Sequence, residues 1–359
     1  MKESALVYCE SEFGSIDGKV ANGLIRQSEK YAIVGVVDST KAGQDAGEYL
    51  DGVKNTIPIF KSIESALEEL GRIPKYFIYG IAPLASFLSN EQREVIFMAI
   101  KNRMNIVNGL PEFFSDDPQF SKMAHEYGVA IQDVRKPPAR ENLHNFTGHI
   151  QYIKVPIVTV MGTDCAVGKR TTALFLVEAL RNEGLNAVFV TTGQTGLLQG
   201  SEYGVAVDVL TSGFATGEVE HAILNACEKE EPDIIVVEGQ GALSHPAFTS
   251  SSAILRGAMP DAIILQHPPK RKSYCDYPKI PILGLVGEIE MIEMFSKARI
   301  IAITINHEKM DNAEISQFIK RYESEFNLPV TDVLKYGCDK LVKALLRTFP
   351  ELARESVSV

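Results

Sequence analysis

The chain has 359 residues, 45% of them apolar and 23% charged, and a net charge of −10. That composition predicts a globular protein with a substantial core and a length that fits two domains. The acidic balance argues against a non-specific nucleic-acid binder. No apolar stretch approaches the roughly 20 residues of a membrane span. The opening Met1-Lys2-Glu3-Ser4 runs straight into the short apolar segment Ala5–Cys9, unlike a secretory leader. The five cysteines (Cys9, Cys165, Cys227, Cys275, Cys338) are scattered without a CxxC pair, which fits reduced thiols in a cytoplasm better than disulfides or a zinc site.

Short β-branched runs alternate with longer amphipathic segments, the pattern of βαβ units and a mostly parallel sheet. In the first half, strands are expected at Ala5–Tyr8, Ala32–Val37, Tyr76–Tyr79, Asn105–Val107 and Val129–Asp133. Helices are expected at Ser62–Leu70 and Asn90–Lys101, the latter capped near Ser89. This half reads as Rossmann-like without the dinucleotide fingerprint. Gly14, Gly18 and Gly23 do not fit G-x-G-x-x-G, and Asp38 alone, where an acid would grip a ribose, makes a poor case for NAD. The prolines of Val134-Arg135-Lys136-Pro137-Pro138 favour an extended linker. The polar stretch that follows places the domain boundary at about residue 145, giving 1–145 and 146–359.

The second half restarts with the apolar run Val155–Met161. Further strands are expected at Asn186–Thr191, Asp233–Glu238, Asp261–Gln266 and Arg299–Asn306. Helices are expected at Lys169–Asn182, Gly217–Glu230, Ala313–Phe326 and Asp339–Phe349. Together the halves predict an α/β protein, a Rossmann-like domain followed by a three-layer P-loop domain.

The strongest local signal is Gly162-Thr163-Asp164-Cys165-Ala166-Val167-Gly168-Lys169-Arg170-Thr171, between a buried strand and a helix. Successive backbone N–H groups in such a loop cradle an anion, and the helix N-terminus adds its positive end. Lys169 supplies a point charge for a phosphate oxygen. The loop is one residue longer than the usual GxxxxGK[ST], in a form that resembles dethiobiotin synthetase-like P-loop proteins. Arg170 stands where Ser or Thr normally ligates Mg²⁺. Arginine cannot ligate a metal but can hold a second phosphate, and Thr171 is the substitute ligand if a metal is used at all.

Ligand crevices of open α/β sheets lie at the C-terminal strand ends, so residues there are the next candidates. Glu238, before Gly239-Gln240-Gly241, is a metal ligand, a base, or a partner that orders Lys169. His245, in Ser244-His245-Pro246, is a second base candidate or a structural histidine. Gln194 and Thr195, in a glycine-flanked turn, would bond substrate or simply turn the chain. Asp208 would point into the crevice or lie exposed. Lys270-Arg271-Lys272 would clamp a carboxylate or phosphate, or form a solvated loop. Asn306 stands where related P-loop proteins read a nucleotide base.

Asp-Cys-Ala-Val-Gly-Lys-Arg-Thr-Thr, Glu238-Gly239-Gln240-Gly241 and Ser244-His245-Pro246, behind a degenerate Rossmann-like half, resemble a family over nearly the whole chain. It was long catalogued as a domain of unknown function and is associated with D-glutamate N-acetyltransferase. The resemblance implies acetyl-CoA as donor and D-glutamate, or a similar small amino acid, as acceptor. On it, Glu238 or His245 would be the base, and Arg256, Lys270 and Arg271 are candidates by type for the acceptor's carboxylates. Coenzyme A presents phosphates without being hydrolysed at phosphorus, which suits Lys169 with Arg170. The rival readings are an ATP- and Mg²⁺-dependent ligase or kinase of the dethiobiotin synthetase type, and a nucleotide-sensing protein without turnover. A symmetric homo-oligomer is expected for an α/β enzyme of this size.

Overall fold

The computed structural model describes residues 2–83 and 87–353. In the first half, strands β1 (Glu3–Tyr8), β2 (Tyr31–Val37), β3 (Ile59–Phe60), β4 (Tyr76–Tyr79), β5 (Asn105–Asn108) and β6 (Ile131–Asp133) alternate with helices. These are α1 (Lys19–Arg26), α2 (Ala46–Asp51), α3 (Ile63–Leu70), α4 (Asn90–Lys101) and α5 (Pro118–Tyr127). Helices α3 and α4 each open on a capping box, from Ser62 and Ser89, which satisfies N–H groups the first turn would leave bare. The six strands are parallel in the order β3-β2-β1-β4-β5-β6. That is the doubly wound Rossmann order, as the sequence predicts.

The second half contains β7 (Ile157–Gly162), α6 (Lys169–Asn182), β8 (Ala187–Thr191), α7 (Gln194–Gln199), β9 (Tyr203–Gly204), α8 (Ser212–Glu230), β10 (Ile234–Glu238) and α9 (Ser250–Ala258). There follow β11 (Ala262–His267), a hairpin of β12 (Ser273–Tyr274) and β13 (Tyr277–Pro281), and α10 (Gly284–Ser296). The half ends with β14 (Arg299–Ile305), α11 (Asn312–Phe326), β15 (Val330–Thr331), α12 (Val333–Tyr336) and α13 (Asp339–Thr348). Its seven-stranded sheet runs β15-β14-β11-β7-β10-β8-β9, with every pairing parallel. The near-continuous apolar strands β7, β10 and β11 are buried along their whole length, as a sheet covered on both faces requires.

The chain forms two compact units, Met1–Pro138 with Gln194–Ser201, and Ala139–Gly193 with Glu202–Val359. The polar stretch after Pro138 is stitched to α8 of the second unit. Glu218 accepts the His144 N–H, and Glu220 accepts those of Thr147 and Ile150. A Cβ on Gly217 would lie 2.2 Å from the His144 carbonyl, so only glycine admits this approach. Helix α7, expected as a turn, packs within the first unit. Leu198 joins that unit's core, and Gln199 Nε2 donates to the carbonyls of Gly23 and Gln27. Among the described residues no helix is long and apolar enough to cross a membrane.

Candidate active site around the phosphate loop

The loop joins β7 to α6 in the middle of the seven-stranded sheet. Its backbone needs left-handed conformations at Ala166 (φ 51°) and Gly168 (φ 104°). Gly162 is needed for space, since a Cβ there would fall 2.9 Å from Lys169 Cδ. The lysine stem therefore lies back over the strand end, and its Nζ donates to the Asp164 carbonyl at 2.6 Å. Burial lowers the Lys169 pKa, opposed by the negative groups around it, Cys165, Asp164 and Glu238 among them.

Buried side chains hold the loop from below. Thr163 Oγ1 pairs with His267 Nδ1 at 2.8 Å. Gln266 Oε1 accepts the hydroxyls of Thr172 and Thr304. Asn306 Nδ2 donates to the Val167 carbonyl at 2.9 Å. Asn306 thus braces the loop itself.

Asp164 is fully buried within the P-loop, and its charge is met by several donors. Arg271 Nη1 bonds Oδ2 at 2.7 Å and also the Cys165 carbonyl, while Nη2 bonds Glu308. The Cys275 N–H bonds Oδ2 at 2.8 Å, and the Cys165 N–H bonds Oδ1 at 2.7 Å. Arg271 and Cys275 come from the β12–β13 hairpin and the segment leading into it, so the hairpin turn is fastened onto the loop.

This fastening brings two thiols together. Cys275 Sγ lies 3.8 Å from the Cys165 carbonyl and 3.9 Å from Asp164 Oδ1. A hydrogen bond from Cys275 lowers the Cys165 thiol pKa, against burial and with help from Lys169. The same bond, together with burial and the Asp164 charge, raises that of Cys275. Of the two sulfurs, Cys165 is therefore the one whose surroundings favour the thiolate form.

His245 faces the same place. Its ring stacks on Phe248 with centroids 4.6 Å apart and meets Tyr274 edge-on at 4.7 Å. Desolvation in this aromatic setting lowers its pKa, against the raising effect of Asp164. Its Nδ1 accepts the Ala247 N–H at 3.2 Å, so the neutral ring carries its proton on Nε2. Nε2 is buried without a hydrogen-bond partner, 4.0 Å from Asp164 Oδ1. Glu288 of α10 secures the His245 loop, accepting the Leu243 N–H and the Ser244 hydroxyl. Burial raises the Glu288 pKa, and those hydrogen bonds oppose the rise.

Asp164, Cys165 and His245 each bring a ligating atom within 4.8 Å of the others, a spacing a metal ion can use. The imidazole hydrogen bonding opposes that use. A metal on Nε2 requires the proton on Nδ1, where it would meet the Ala247 N–H head-on. Asp164 is likewise engaged by Arg271 and two backbone donors.

With fold and site in hand, the family is clear. The model described as "Domain of unknown function (DUF1611_C) P-loop domain" matches residues 144–342, and that of the "(DUF1611_N) Rossmann-like domain" matches 39–137. The chain belongs to the DUF1611 family. A crystal structure of a DUF1611 family protein from Anabaena variabilis is 30% identical, with a TM-score of 0.88 over 96% of this chain and 100% of that one. The chain is also similar to proteins named D-glutamate N-acetyltransferase from Tritonibacter scottomollicae and Pseudoalteromonas sp. They are 27% and 29% identical over 277 residues, which is 76% of this chain and 81% of each relative.

The other sequence-selected residues of this DUF1611 protein fall in varied places. Arg170 and Thr171 are half-buried on the first turn of α6. Glu238 ends β10, with Oε2 accepting the Thr191 hydroxyl and the Thr192 N–H. Gln194 and Thr195 open α7 in the first unit, so the glycine-flanked segment is a helix rather than a turn. Asp208 is exposed on a single 3-10 turn. Arg256 lies over the Phe295 ring at 4.7 Å. Lys270 pairs with Glu314 and the Lys309 carbonyl. Arg271 serves the loop's own Asp164. Cys275, Glu288, Tyr274 and Gln266 carry no sequence signal as site residues, because each acts through a partner far away in the chain.

Proposed function

We propose that this chain is an N-acetyltransferase, with acetyl-CoA as donor and the amine of a small amino acid, D-glutamate first, as acceptor. The observation that carries this reading is a phosphate loop that keeps its lysine, has Arg170 at the metal-ligand position, and opens beside a thiol pair and a neutral histidine. Those are the groups of acyl transfer rather than of phosphoryl transfer. The names of the two curated relatives support the same reading.

The loop residues suit coenzyme A. Gly162 leaves room for the lysine stem, and the ammonium of Lys169, bonded to a carbonyl of its own loop, is available to exchange that partner for a phosphate oxygen. The N–H groups of 166–169 and the guanidinium of Arg170 would share the remaining phosphate charge. Acetyl-CoA supplies an activated acyl group as a thioester. His245 Nε2–H is placed as a donor for an oxygen that gains negative charge. This narrows His245 from base to hydrogen-bond donor, since its free lone pair on Nδ1 is occupied by Ala247. Glu238, held rigid by Thr191 and Thr192, is the proton acceptor this reading assigns for the amine.

Calorimetry with acetyl-CoA, ATP–Mg²⁺ and NAD, each alone, tests the donor, and release of free coenzyme A thiol across D- and L-amino acids tests the acceptor. Binding of acetyl-CoA that Lys169→Ala weakens, with the fold intact, is the expected result. Tight ATP–Mg²⁺ binding without a response to acetyl-CoA would overturn the reading.

A further inference from the structure

We propose that Cys165 is itself acetylated during turnover, so that the acetyl group reaches the amine through a protein thioester. The inference rests on the acetyltransferase reading and extends it to a named nucleophile. Three observations meet at one sulfur. Cys165 is a half-buried residue of the phosphate loop itself, so a donor whose phosphates lie at Lys169 folds its pantetheine arm back to bring the thioester carbon to this sulfur. Cys275 stands beside it, its backbone fixed by Asp164 and its Sγ 3.8 Å from the Cys165 carbonyl. His245 brings a ring nitrogen within 4.8 Å of Cys165 Sγ and an Asp164 carboxylate oxygen, and its Nε2 is buried without a hydrogen-bond partner.

The two half-reactions balance. The Cys165 thiolate attacks the thioester carbonyl carbon, and the carbon's bond to the coenzyme A sulfur breaks. Coenzyme A leaves as a thiolate and is protonated. His245 Nε2–H, fixed as a donor by the Ala247 N–H on the other nitrogen, bonds the oxyanion while the carbon is tetrahedral. In the second half the neutral amine attacks the acetyl-cysteine carbon. The carbon–sulfur bond breaks, the Cys165 thiolate is restored with Cys275 S–H as its donor, and the amine proton passes to Glu238. The departing coenzyme A thiolate takes its proton from solvent and Glu238 later returns one to solvent, so overall one proton moves from the amine to coenzyme A.

The test is intact-protein and peptide mass spectrometry of the full chain mixed with acetyl-CoA and no amine, quenched in acid, beside steady-state kinetics. The expected result is one acetyl group on the Cys165 peptide, discharged by the acceptor amino acid at a rate no slower than kcat, with parallel-line kinetics. Cys165→Ser, folded as judged by its melting temperature, should bind acetyl-CoA yet gain no acetyl group. Cys275→Ser should still be acetylated, more slowly. As a readout independent of turnover, wild-type Cys165 should react with iodoacetamide faster than the other four cysteines, and the Cys275→Ser exchange should slow it. Amine-dependent turnover without an acetyl-cysteine, or an adduct discharged far more slowly than kcat, overturns the covalent route and leaves the proposed function standing. Absence of both turnover and adduct overturns both.

Discussion

His267 provides a stringent test of how the loop is supported. It is 5% exposed at the end of β11, bonded to Thr163, and burial together with the Arg271 charge lowers its pKa from the ordinary 6.5 to about 4. The folded state therefore favours the neutral ring. Stability from this source is complete above about pH 7, is lost as pH falls through 6.5, and stops falling below about pH 4. The whole gap is worth about 3 kcal/mol, of which about 2 kcal/mol disappears between pH 7 and pH 5. His267→Asn keeps a polar atom near the position of Nδ1 but cannot titrate. Urea unfolding of wild type and variant at both pH values isolates the effect, because every other titrating group is shared. The wild type should lose about 2 kcal/mol more than the variant on going to pH 5. Equal losses in the two proteins would refute the claim that His267 is held neutral by the fold.

Three further outcomes follow from the geometry. His245→Gln retains a side-chain donor but no base, so CoA release should stay within about 10-fold of wild type, whereas His245→Ala should lose about 10²–10³-fold, the value of one oxyanion donor; a loss of that size in the glutamine variant would show that the ring acts as a base. Arg271→Met strands the buried Asp164 carboxylate and should cost about 3–5 kcal/mol in urea unfolding, while Glu308→Gln, removing the partner whose side chain is 30% exposed, should cost under about 1 kcal/mol. Gly239→Ala would place a Cβ 2.4 Å from the Val160 carbonyl and should destabilise by about 1–3 kcal/mol. Gly213→Ala on α8 meets nothing within 4 Å and should be neutral or gain up to about 1 kcal/mol, so thermal melting of the pair should split in sign or nearly so.

The parts of this fold that the sequence discloses are those encoded by contiguous residues. A buried apolar run, a glycine and a lysine opening an amphipathic stretch suffice to place β7, the loop and α6, whose bounds Lys169–Asn182 match the expected ones. Alternation of strands and helices likewise leads to two parallel sheets. What stays hidden is encoded in pairs. Arg271, by type a candidate for substrate carboxylates, finds an acid inside its own protein, 107 residues away in sequence. Cys275 is a lone cysteine until the hairpin sets it on Asp164, 111 residues away. Glu288 looks like one acid among several on α10, yet it is the one turned inward to hold Leu243 and Ser244. The error at Gln194 and Thr195 has the same origin. Two glycines argue for a turn, and tertiary packing of Leu198 and Gln199 overrides them with a helix.

An acid in a P-loop needs a physical justification, because a carboxylate at Asp164 opposes any anion brought to the loop. Full burial with Arg271 and two backbone N–H donors cancels its charge locally, so the field at the loop mouth is left to Lys169 and the helix end. The carboxylate then acts as a fastener, for it fixes the hairpin turn and with it the Cys275 thiol. A P-loop built for phosphoryl transfer uses its first helical turn to hold Mg²⁺. Here that turn carries Arg170, and the specialised side chains sit instead on the loop itself and on the elements tied to Asp164. On the proposed covalent route the phosphate cradle serves as a handle, and the reactive group is the sulfur of Cys165, beside it.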